Sequence, residues 1–256
     1  LRCPHKKKAG PRILVIHLEA LGAVLRGTVI LKPILRKWPN AQITWVTSPR
    51  AAALLENNHM ISRLLKNDFA SQQILSVLSF DYAFCIDKSA QAAALLHTPK
   101  EVGACFGFGV DSDGVVIPLN PQAHELYDIG LSNVKKFFVN TKPETQLITE
   151  ALNLDYQRDP YVFQFTEAEK AFEKNEKERL GLKDKPFVVG LNTGCSGVIP
   201  YKKLTVAAWV EVCKKIFDKQ KNAVIMLLGG PEDTLRNQEI YCQIPGEKKA
   251  QVICTP

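Results

Sequence analysis

The sequence predicts an α/β protein built on parallel, doubly wound sheets, and three features of the pattern support this fold class. Short, almost continuous apolar runs alternate with segments of helical periodicity over most of the 256 residues. Such runs are typical of strands covered on both faces, which is the usual condition of a parallel sheet. Turns rich in small residues follow several of these runs, and open α/β sheets bind ligands at that edge. The pattern starts again after residue 182, which predicts a second unit of the same kind.

The first unit is predicted to begin with a strand buried on both faces, over residues 13–18, because this run is apolar apart from His17. A helix is expected over residues 24–38, where Pro39 and Asn40 end the helical pattern. The next elements alternate in the same way: strands 42–47, 61–65, 82–86 and 101–106, and helices 49–57, 71–78 and 90–96.

The later part of this unit is less regular. Residues 107–120 are rich in glycine and predict a loop or hairpin, followed by a helix over 147–154 and a short strand over 161–165. A charged helix is predicted over residues 166–180, because Thr166 and Glu169 have the spacing of a capping box and Gly181 can end the helix. Residues 183–186 are expected to be a linker.

The second unit is predicted from strands at 187–191 and 223–228, helices at 205–219 and 232–243, and a strand beginning at Val252. These residues are fewer than the ~100–150 of a typical domain. Either these strands join the first sheet, or the unit is incomplete and the natural chain continues beyond residue 256; we expect the second. The predicted organisation is a flexible tail over 1–11, an N-terminal unit over 12–182 and a C-terminal unit over 183–256.

Composition and charge limit the classes of function. The chain is 46% hydrophobic and 23% charged, as expected of an ordinary soluble protein, and no apolar run approaches the ~20 residues of a membrane span. The basic N-terminus has no apolar stretch behind it, so we expect no secretory signal and a cytoplasmic location. The net charge of +7 favours anionic ligands and surfaces. However, the basic residues are not interleaved with aromatic ones, so nucleic-acid binding is not supported.

The seven cysteines predict reduced thiols rather than a disulfide framework, because their number is odd and no C-x-x-C pair occurs. Cys3 and His5 are compatible with a small metal-binding arm, but a flexible tail is the simpler interpretation. Cys195 lies in a loop with no histidine nearby in sequence, so a nucleophilic role is not favoured. No metal site is predicted.

The first motif with chemical content is the turn Leu21-Gly22-Ala23-Val24, which leads from the first strand into the first helix. Gly22 permits a tight turn and close approach of a ligand, and the amides at a helix N-terminus attract anions. Residues 13–35 resemble the N-terminal segment of glycosyltransferase family 9, the family of the ADP-heptose:lipopolysaccharide heptosyltransferases, which reads I-L-V-I-R/K-L-x-x-L-G-D-V. The matching positions are Ile13, Leu14, Ile16, Leu18, Leu21, Gly22, Val24, Thr28 and Leu31. Ala23 stands where the family has an Asp that the resemblance identifies as the catalytic base.

A second motif follows the first strand of the C-terminal unit. Loop hydroxyls, backbone amides and a lysine just after a strand suit a phosphate group. The corresponding loop of the family holds the diphosphate of the nucleotide sugar, and the resemblance gives this role to Thr193, Gly194, Ser196, and Lys202 or Lys203.

A third motif, the turn Gly229-Gly230-Pro231-Glu232, matches the family's L-L-G-G-P-x-E. The resemblance implies that both glycines bring the backbone close to the nucleotide and that Glu232 contacts its ribose or base. The family's distal D-T-G/S-x-x-H motif has no counterpart in this sequence.

The resemblance implies an inverting, metal-independent transferase with two Rossmann-like domains of the GT-B type. A carboxylate at the first turn would deprotonate an acceptor hydroxyl, which would attack C1 of a nucleoside-diphosphate sugar, by family default ADP-heptose. Arg26 and Thr28 would contact the acceptor, a lipid-linked core saccharide of lipopolysaccharide. No cofactor is expected beyond this donor, and peripheral contact with the inner membrane is compatible with the charge. Because Ala23 replaces the base, we expect transfer to be severely impaired.

Two alternatives remain open and one is disfavoured. Glu19 lies next to the first motif and is an alternative base, although strand alternation directs it away from Ala23. A relative that binds nucleotide sugar or glycan without catalysis would explain both Ala23 and the missing distal motif. A nicotinamide-dependent oxidoreductase is disfavoured, because the first turn lacks G-x-G-x-x-G and the second strand, QITWVT, does not end in an acidic residue.

Overall fold

The computed structural model describes residues 9–183, 187–195 and 202–255. Their contacts divide the chain into two compact units, residues 1–166 and 167–256. This division assigns the charged helix to the second unit, whereas the sequence pattern grouped it with the first. No helix among the described residues combines the length and the apolar character that crossing a bilayer requires.

The first unit contains six strands and seven α-helices among its described residues. The strands are β1 (Arg12–Ile16), β2 (Gln42–Thr47), β3 (Arg63–Lys66), β4 (Ser79–Cys85), β5 (Glu101–Val110) and β6 (Val116–Pro118). The helices are α1 (Leu21–Gly27), α2 (Leu31–Lys37), α3 (Pro49–Ala52), α4 (Phe69–Ser76), α5 (Ala90–Ala94), α6 (Ala123–Leu131) and α7 (Glu144–Ala151).

These strands form one sheet in the order β3-β2-β1-β4-β5-β6. All neighbours are parallel except β5 and β6, which form an antiparallel hairpin where the sequence predicted a loop or hairpin. β1 lies inside the sheet, and its alternate side chains enter two different cores, as the continuous apolar run predicted. Ile13 packs in one core and Leu14 in the other, and both are fully buried.

Three sequence-based expectations for this unit differ from the structure. The helix predicted over residues 24–38 is α1 and α2 joined by a short 3₁₀ turn, Thr28–Ile30. Residues 161–165 form no strand, because no neighbouring strand pairs with them. The sequence did not predict α6 or the π-helical turn Lys135–Val139 that follows it.

The second unit has a smaller sheet in the order β7-β8-β9, and all its strands are parallel. Its elements are α8 (Glu167–Arg179), β7 (Val188–Asn192), α9 (Val206–Lys219), β8 (Val224–Leu228), α10 (Thr234–Gln243) and β9 (Val252–Cys254). Thr205 caps α9 by accepting a hydrogen bond from the amide of Ala208. α8 buries none of its side chains, as its charged sequence predicted, and Gly181 follows it with a φ of +63°.

Candidate functional site

The first turn joins the end of β1 to the start of α1 at the carboxyl edge of the larger sheet. The carbonyl of Ala20 accepts hydrogen bonds from the amides of Ala23 at 2.8 Å and Val24 at 2.9 Å, which closes the first turn of α1. Gly22 is exposed and Ala23 is half-buried. A side chain at Gly22 would meet only the tip of Arg26, 3.4 Å away, so the turn is open to a ligand. Ala23, the position that the sequence resemblance predicted for a catalytic base, carries only a methyl group.

A carboxylate from the neighbouring strand supports this turn. Asp87 lies just beyond the end of β4, and its Oδ2 accepts a hydrogen bond from the amide of Leu18. Its Oδ1 lies 3.3 Å from Nε2 of His17, and the Asp87 side chain is only 11% exposed. The segment after β1 is therefore held to β4 by a side chain that is distant in sequence.

Burial shifts the pKa values of this pair in opposite directions. Burial, and secondarily the positive charge of Arg26, lowers the pKa of His17 to about 4. Burial also raises the pKa of Asp87 to about 6, and hydrogen bonds from the Leu18 and Glu19 amides oppose that shift only in part. At neutral pH His17 is therefore neutral and Asp87 is ionised. Desolvation penalises the charged form of each group, which gives the opposite signs.

Close packing fixes the imidazole of His17. Its ring stacks near Trp45, with centroids 6.4 Å apart, and only 3% of the residue is exposed. A Cβ at Gly27 in α1 would approach Cε1 of His17 to 2.7 Å and Nδ1 still more closely. Gly27 is thus required where the helix crosses the ring. His17 packs at the strand end rather than facing a ligand.

The two residues predicted to contact the acceptor have different environments. Arg26 is half-exposed and forms an ion pair with Glu144 at the start of α7, with Nε and Oε2 2.7 Å apart. Thr28 is fully buried. Its hydroxyl donates to the carbonyl of Leu25 at 2.6 Å and accepts from the amide of Val162 at 2.7 Å. The structure gives Thr28 a packing role and leaves it no surface for an acceptor.

Lys88 adds a cation beside the same edge. Its Nζ donates to the carbonyl of Leu126 in α6 at 2.7 Å and lies 5.3 Å from the centre of the Phe108 ring. Burial lowers the pKa of Lys88, and the charge of Lys136 adds to that effect. The edge therefore combines an open helical turn with the cations of Arg26 and Lys88.

In the second unit, the loops after β7 and β8 lie side by side, because the two strands are parallel and in register there. Thr193 is 1% exposed. Its Oγ1 lies 3.0 Å from the carbonyl oxygen of Leu228 and 2.5 Å from Oδ1 of Asn237 in α10. The hydroxyl predicted to bind phosphate is thus directed into the protein, where it joins the two loops to α10.

Asp233 is the centre of this loop pair. Its Oδ1 lies 3.0 Å from Nζ of Lys203, and its Oδ2 accepts a hydrogen bond from the amide of Gly230 at 3.3 Å. The hydrogen bond from Lys203 lowers the pKa of Asp233, so the carboxylate is ionised at neutral pH. Cβ atoms at Gly194 or Gly229 would collide with this side chain. The glycines are required by the packing of Asp233 inside the unit.

The structure distinguishes Lys202 from Lys203, the two lysines that the sequence left as alternatives for binding phosphate. Lys203 is occupied by Asp233, whereas Lys202 is exposed. Glu232 is also exposed, and the half-buried Gly230 lies beside its carboxylate. Ser196 lies outside the described residues, so its predicted role is not tested.

From the sequence, Asp87 could supply a carboxylate but was interpreted as a loop aspartate that turns the chain, and Asp233 and Asn237 were not selected. Asp87 lies just after the end of β4, and Asp233 lies in the turn after β8. A polar side chain at either position can reach the neighbouring loop. Asn237 lies one helical turn after Asp233 and so faces the same loops. Among the described residues, no group of three or more His, Cys, Asp or Glu side chains could hold a metal ion.

Comparisons with known proteins support the fold. No protein-family profile matches the sequence, and no curated protein matches it either. Among solved structures, a family 9 glycosyltransferase from Veillonella parvula matches 98% of this chain and 71% of its own, with a TM-score of 0.72 and 16% identity. The E. coli ADP-heptose lipopolysaccharide heptosyltransferase II matches 95% of this chain and 72% of its own, at a TM-score of 0.59 and 17% identity. The structure of the E. coli heptosyltransferase WaaC with ADP matches 96% of this chain and 74% of its own, at a TM-score of 0.58 and 17% identity.

The chain therefore has the fold of a family 9, GT-B-type glycosyltransferase. This confirms the predicted α/β class and the structural resemblance inferred from residues 13–35 and the two later turns. At 16–17% identity the likeness concerns the fold.

Proposed function

We propose that this protein is a glycosyltransferase that uses a nucleoside-diphosphate sugar as donor and a glycan as acceptor. The observation that carries the proposal is the match of nearly the whole chain to a family 9 glycosyltransferase, together with glycine turns at the strand ends where donors bind in this fold. Two of the similar structures are named for ADP-heptose or contain ADP. ADP-heptose is accordingly the first donor to test, and a lipid-linked saccharide of the lipopolysaccharide core is the first acceptor.

The second unit supplies the donor side of this proposal. Thr193 and Lys203 are occupied by internal contacts, so among the described residues we assign the diphosphate to the exposed ammonium of Lys202 and the backbone at Gly194, Gly229 and Gly230. Ser196, which lies outside the described residues, remains part of the proposed site. A charge-assisted hydrogen bond from Lys202 would stabilise the leaving diphosphate as its charge develops. Glu232 remains the proposed contact to the ribose or base. We propose, as the family resemblance implies, that transfer uses no metal ion and no cofactor beyond the donor.

The first unit supplies the acceptor side. In an inverting transfer, the acceptor oxygen forms a bond to C1 as the bond from C1 to the phosphate oxygen breaks and the nucleoside diphosphate leaves with that electron pair. The proton of the acceptor hydroxyl must pass to a base. Ala23 carries none, and Asp87 is held by the Leu18 amide and packed against His17. A missing base of this kind costs about 10²–10⁴-fold in rate, so we propose that transfer is impaired.

A second candidate function follows from the same residue. If catalysis has been lost altogether, the protein binds a nucleotide sugar or glycan without transferring it. The half-buried methyl of Ala23 at the first turn favours this candidate.

Calorimetric titration of the purified chain with ADP, UDP, GDP and NAD, at low and then high salt, tests the donor assignment. We expect saturable binding of one nucleoside diphosphate and about tenfold weaker binding in Lys202→Gln, because a hydrogen bond to a charged group contributes about 1.5–3 kcal/mol. Lys215→Gln, at another exposed lysine, on α9, is the matched control. Binding of NAD alone, or of no nucleotide, would overturn the proposal.

Restoring the carboxylate separates the two candidates. Ala23→Asp should raise transfer from ADP-heptose by about 10²-fold or more, whereas Ala23→Asn has nearly the same shape but no base and should give no gain. Nucleotide binding with no transfer in either variant would favour the non-catalytic candidate.

A further inference from the structure

A short turn between α6 and α7 exposes an unusual density of apolar side chains. Residues 131–139 read LSNVKKFFV. We call the five apolar members of this segment the aromatic turn: Leu131, Val134, Phe137, Phe138 and Val139, with exposed fractions of 72%, 62%, 66%, 83% and 65%. Single exposed apolar residues are normal on protein surfaces, but a contiguous group of large ones marks an interaction surface.

The aromatic turn is ordered by polar contacts and not by burial. The π-helical turn within it buries no residue. Its backbone is closed by hydrogen bonds from the Lys136 amide to Ser132 at 2.9 Å and from the Asn140 amide to the Lys135 carbonyl at 2.8 Å. The apolar side chains are consequently held outward by a formed backbone.

An ion-pair bridge fixes the base of this turn. Lys142 lies 2.7 Å from Glu125 in α6 and 2.8 Å from Glu150 in α7, which ties the two flanking helices together. Three charges share this bridge, so it restrains both ends of the turn more than an isolated surface pair would.

The charge of the segment identifies the chemistry that fits it. Lys135 and Lys136 lie among the apolar residues, and no acidic residue occurs between residues 129 and 141. Nζ of Lys135 lies 2.7 Å from Oδ2 of Asp128, so this ion pair offsets its charge and Lys136 carries the positive charge of the segment. Lys136 lies 5.3 Å from the centre of the Phe137 ring. Aromatic side chains with interspersed lysines are typical of segments that lie in the interface of an anionic bilayer. Lysine is depleted in protein–protein interfaces, which argues against a protein as the occupant.

The aromatic turn begins beside the candidate acceptor site. A Cβ at Gly130, the residue before Leu131, would lie 2.9 Å from Nζ of Lys88. Lys88 in turn directly follows Asp87 at the carboxyl edge of the larger sheet. A surface that bound lipid here would hold that edge close to the bilayer.

We propose that the aromatic turn docks this protein on an anionic lipid bilayer, with Phe137 and Phe138 entering the headgroup region and Lys136 contacting anionic headgroups. The docking proposal is argued from the exposed side chains and charge of the aromatic turn and does not depend on the proposed function. The further consequence, that a lipid-anchored acceptor reaches the first unit from the membrane, rests on the proposed function.

Vesicle sedimentation of the full chain, with phosphatidylglycerol and phosphatidylethanolamine mixtures and no nucleotide present, tests the proposal. The variant Phe137→Ser/Phe138→Ser should bind at least about tenfold more weakly, since each phenylalanine removes apolar area from water. Lys136→Gln should lose about fivefold, on anionic vesicles only. The matched control is Phe69→Ser/Phe172→Ser, which removes two phenylalanines with exposures of 76% and 66% elsewhere on the surface.

Three results would overturn the proposal: no binding of the unaltered chain to anionic vesicles, binding of the double variant equal to that of the unaltered chain, or an equal loss in the control. Sedimentation velocity without lipid provides a further check. If the aromatic turn instead joined two copies of this chain, the unaltered protein would be a dimer and the double variant a monomer. Because neither assay uses a donor, failure of docking and failure of the transferase assignment give separate results.

Discussion

Asp87→Asn should make the stability of the first unit strongly dependent on pH, because it removes one of two opposing protonation effects. In the unaltered protein, His17 and Asp87 are in contact and are both largely buried. Their pKa values shift in opposite directions and cross, to about 4 for His17 and about 6 for Asp87. Each shift implies a free-energy change on acidification, and the two changes have opposite signs.

For His17, the folded-state pKa of about 4 lies below the ordinary histidine value of 6.5. The unfolded chain therefore binds a proton first as the pH falls through 6.5, and stability is lost progressively down to pH 4. Each pKa unit corresponds to about 1.4 kcal/mol, so lowering the pH from 7 to 5 should cost about 2 kcal/mol through this group.

For Asp87, the folded-state pKa of about 6 lies above the ordinary aspartate value of 3.8. The folded chain binds the proton first, so stability rises as the pH falls through 6. Between pH 7 and 5 this contributes about 1 kcal/mol in the stabilising direction. The pair together should change stability by only about 0.5–1 kcal/mol over this range.

Asp87→Asn leaves the His17 effect unopposed, so unfolding should cost about 2 kcal/mol less at pH 5 than at pH 7. Urea unfolding at the two pH values measures the difference. In a Trp209→Phe background, fluorescence reports only Trp38 and Trp45, which both belong to the first unit. Asp113→Asn, at an exposed loop carboxylate, is the control for loss of charge. If Asp87→Asn has the same pH dependence as the control, the assignment of opposing effects to this pair is wrong.

Two glycine substitutions test the packing of each unit. Gly27→Ala should lower the stability of the first unit by about 1–2 kcal/mol. Overpacking against the buried imidazole costs about 1–3 kcal/mol, and the higher helix propensity of Ala offsets up to about 1 kcal/mol of that cost. Gly22→Ala lies in the same helix, and its new methyl would meet only the tip of Arg26, 3.4 Å away, so it should not destabilise the first unit. Equal urea midpoints for the Gly27→Ala and Gly22→Ala variants would contradict this reasoning. Gly194→Ala should lower the thermal midpoint of the second unit, because the new methyl collides with Asp233, whereas Gly246→Ala meets open space and should leave the midpoint unchanged.

Most of the sheet architecture could be predicted from the sequence. The apolar run of β1 indicated burial on both faces, and the structure places its alternate side chains in two cores. Residues 161–165 show why a pattern can be right and the element wrong. Val162 is buried and Tyr161 and Phe163 are exposed, so the alternation of an extended chain is present. No strand in the described part of the chain pairs with this segment, and the Val162 amide donates a hydrogen bond to the Thr28 hydroxyl instead.

The candidate site was only partly predictable. Glycines at the strand ends could be identified from local sequence, because a turn and a close approach require them. The reason that glycine is required could not be predicted in the same way, because Gly194 makes room for the side chain of Asp233, which lies in the next loop. The contacts of Asp87 with Leu18 and His17 span about 70 positions, and periodicity carries no information on such pairs. Local signals locate an edge of the sheet, whereas long-range pairing decides which side chains meet there.

The hydrogen bond between Leu18 and Asp87 also constrains the order in which this protein folds. The two residues are 69 positions apart, and β4 must insert beside β1 before the carboxylate can reach the first turn. Non-local pairing of this kind is slow, because the entropy of closing the intervening loop is lost before the contact forms. During synthesis, β1, α1 and α2 emerge from the ribosome well before Asp87. The first turn would therefore acquire its final support only when β4 docks, so this candidate site assembles late in the folding of the first unit.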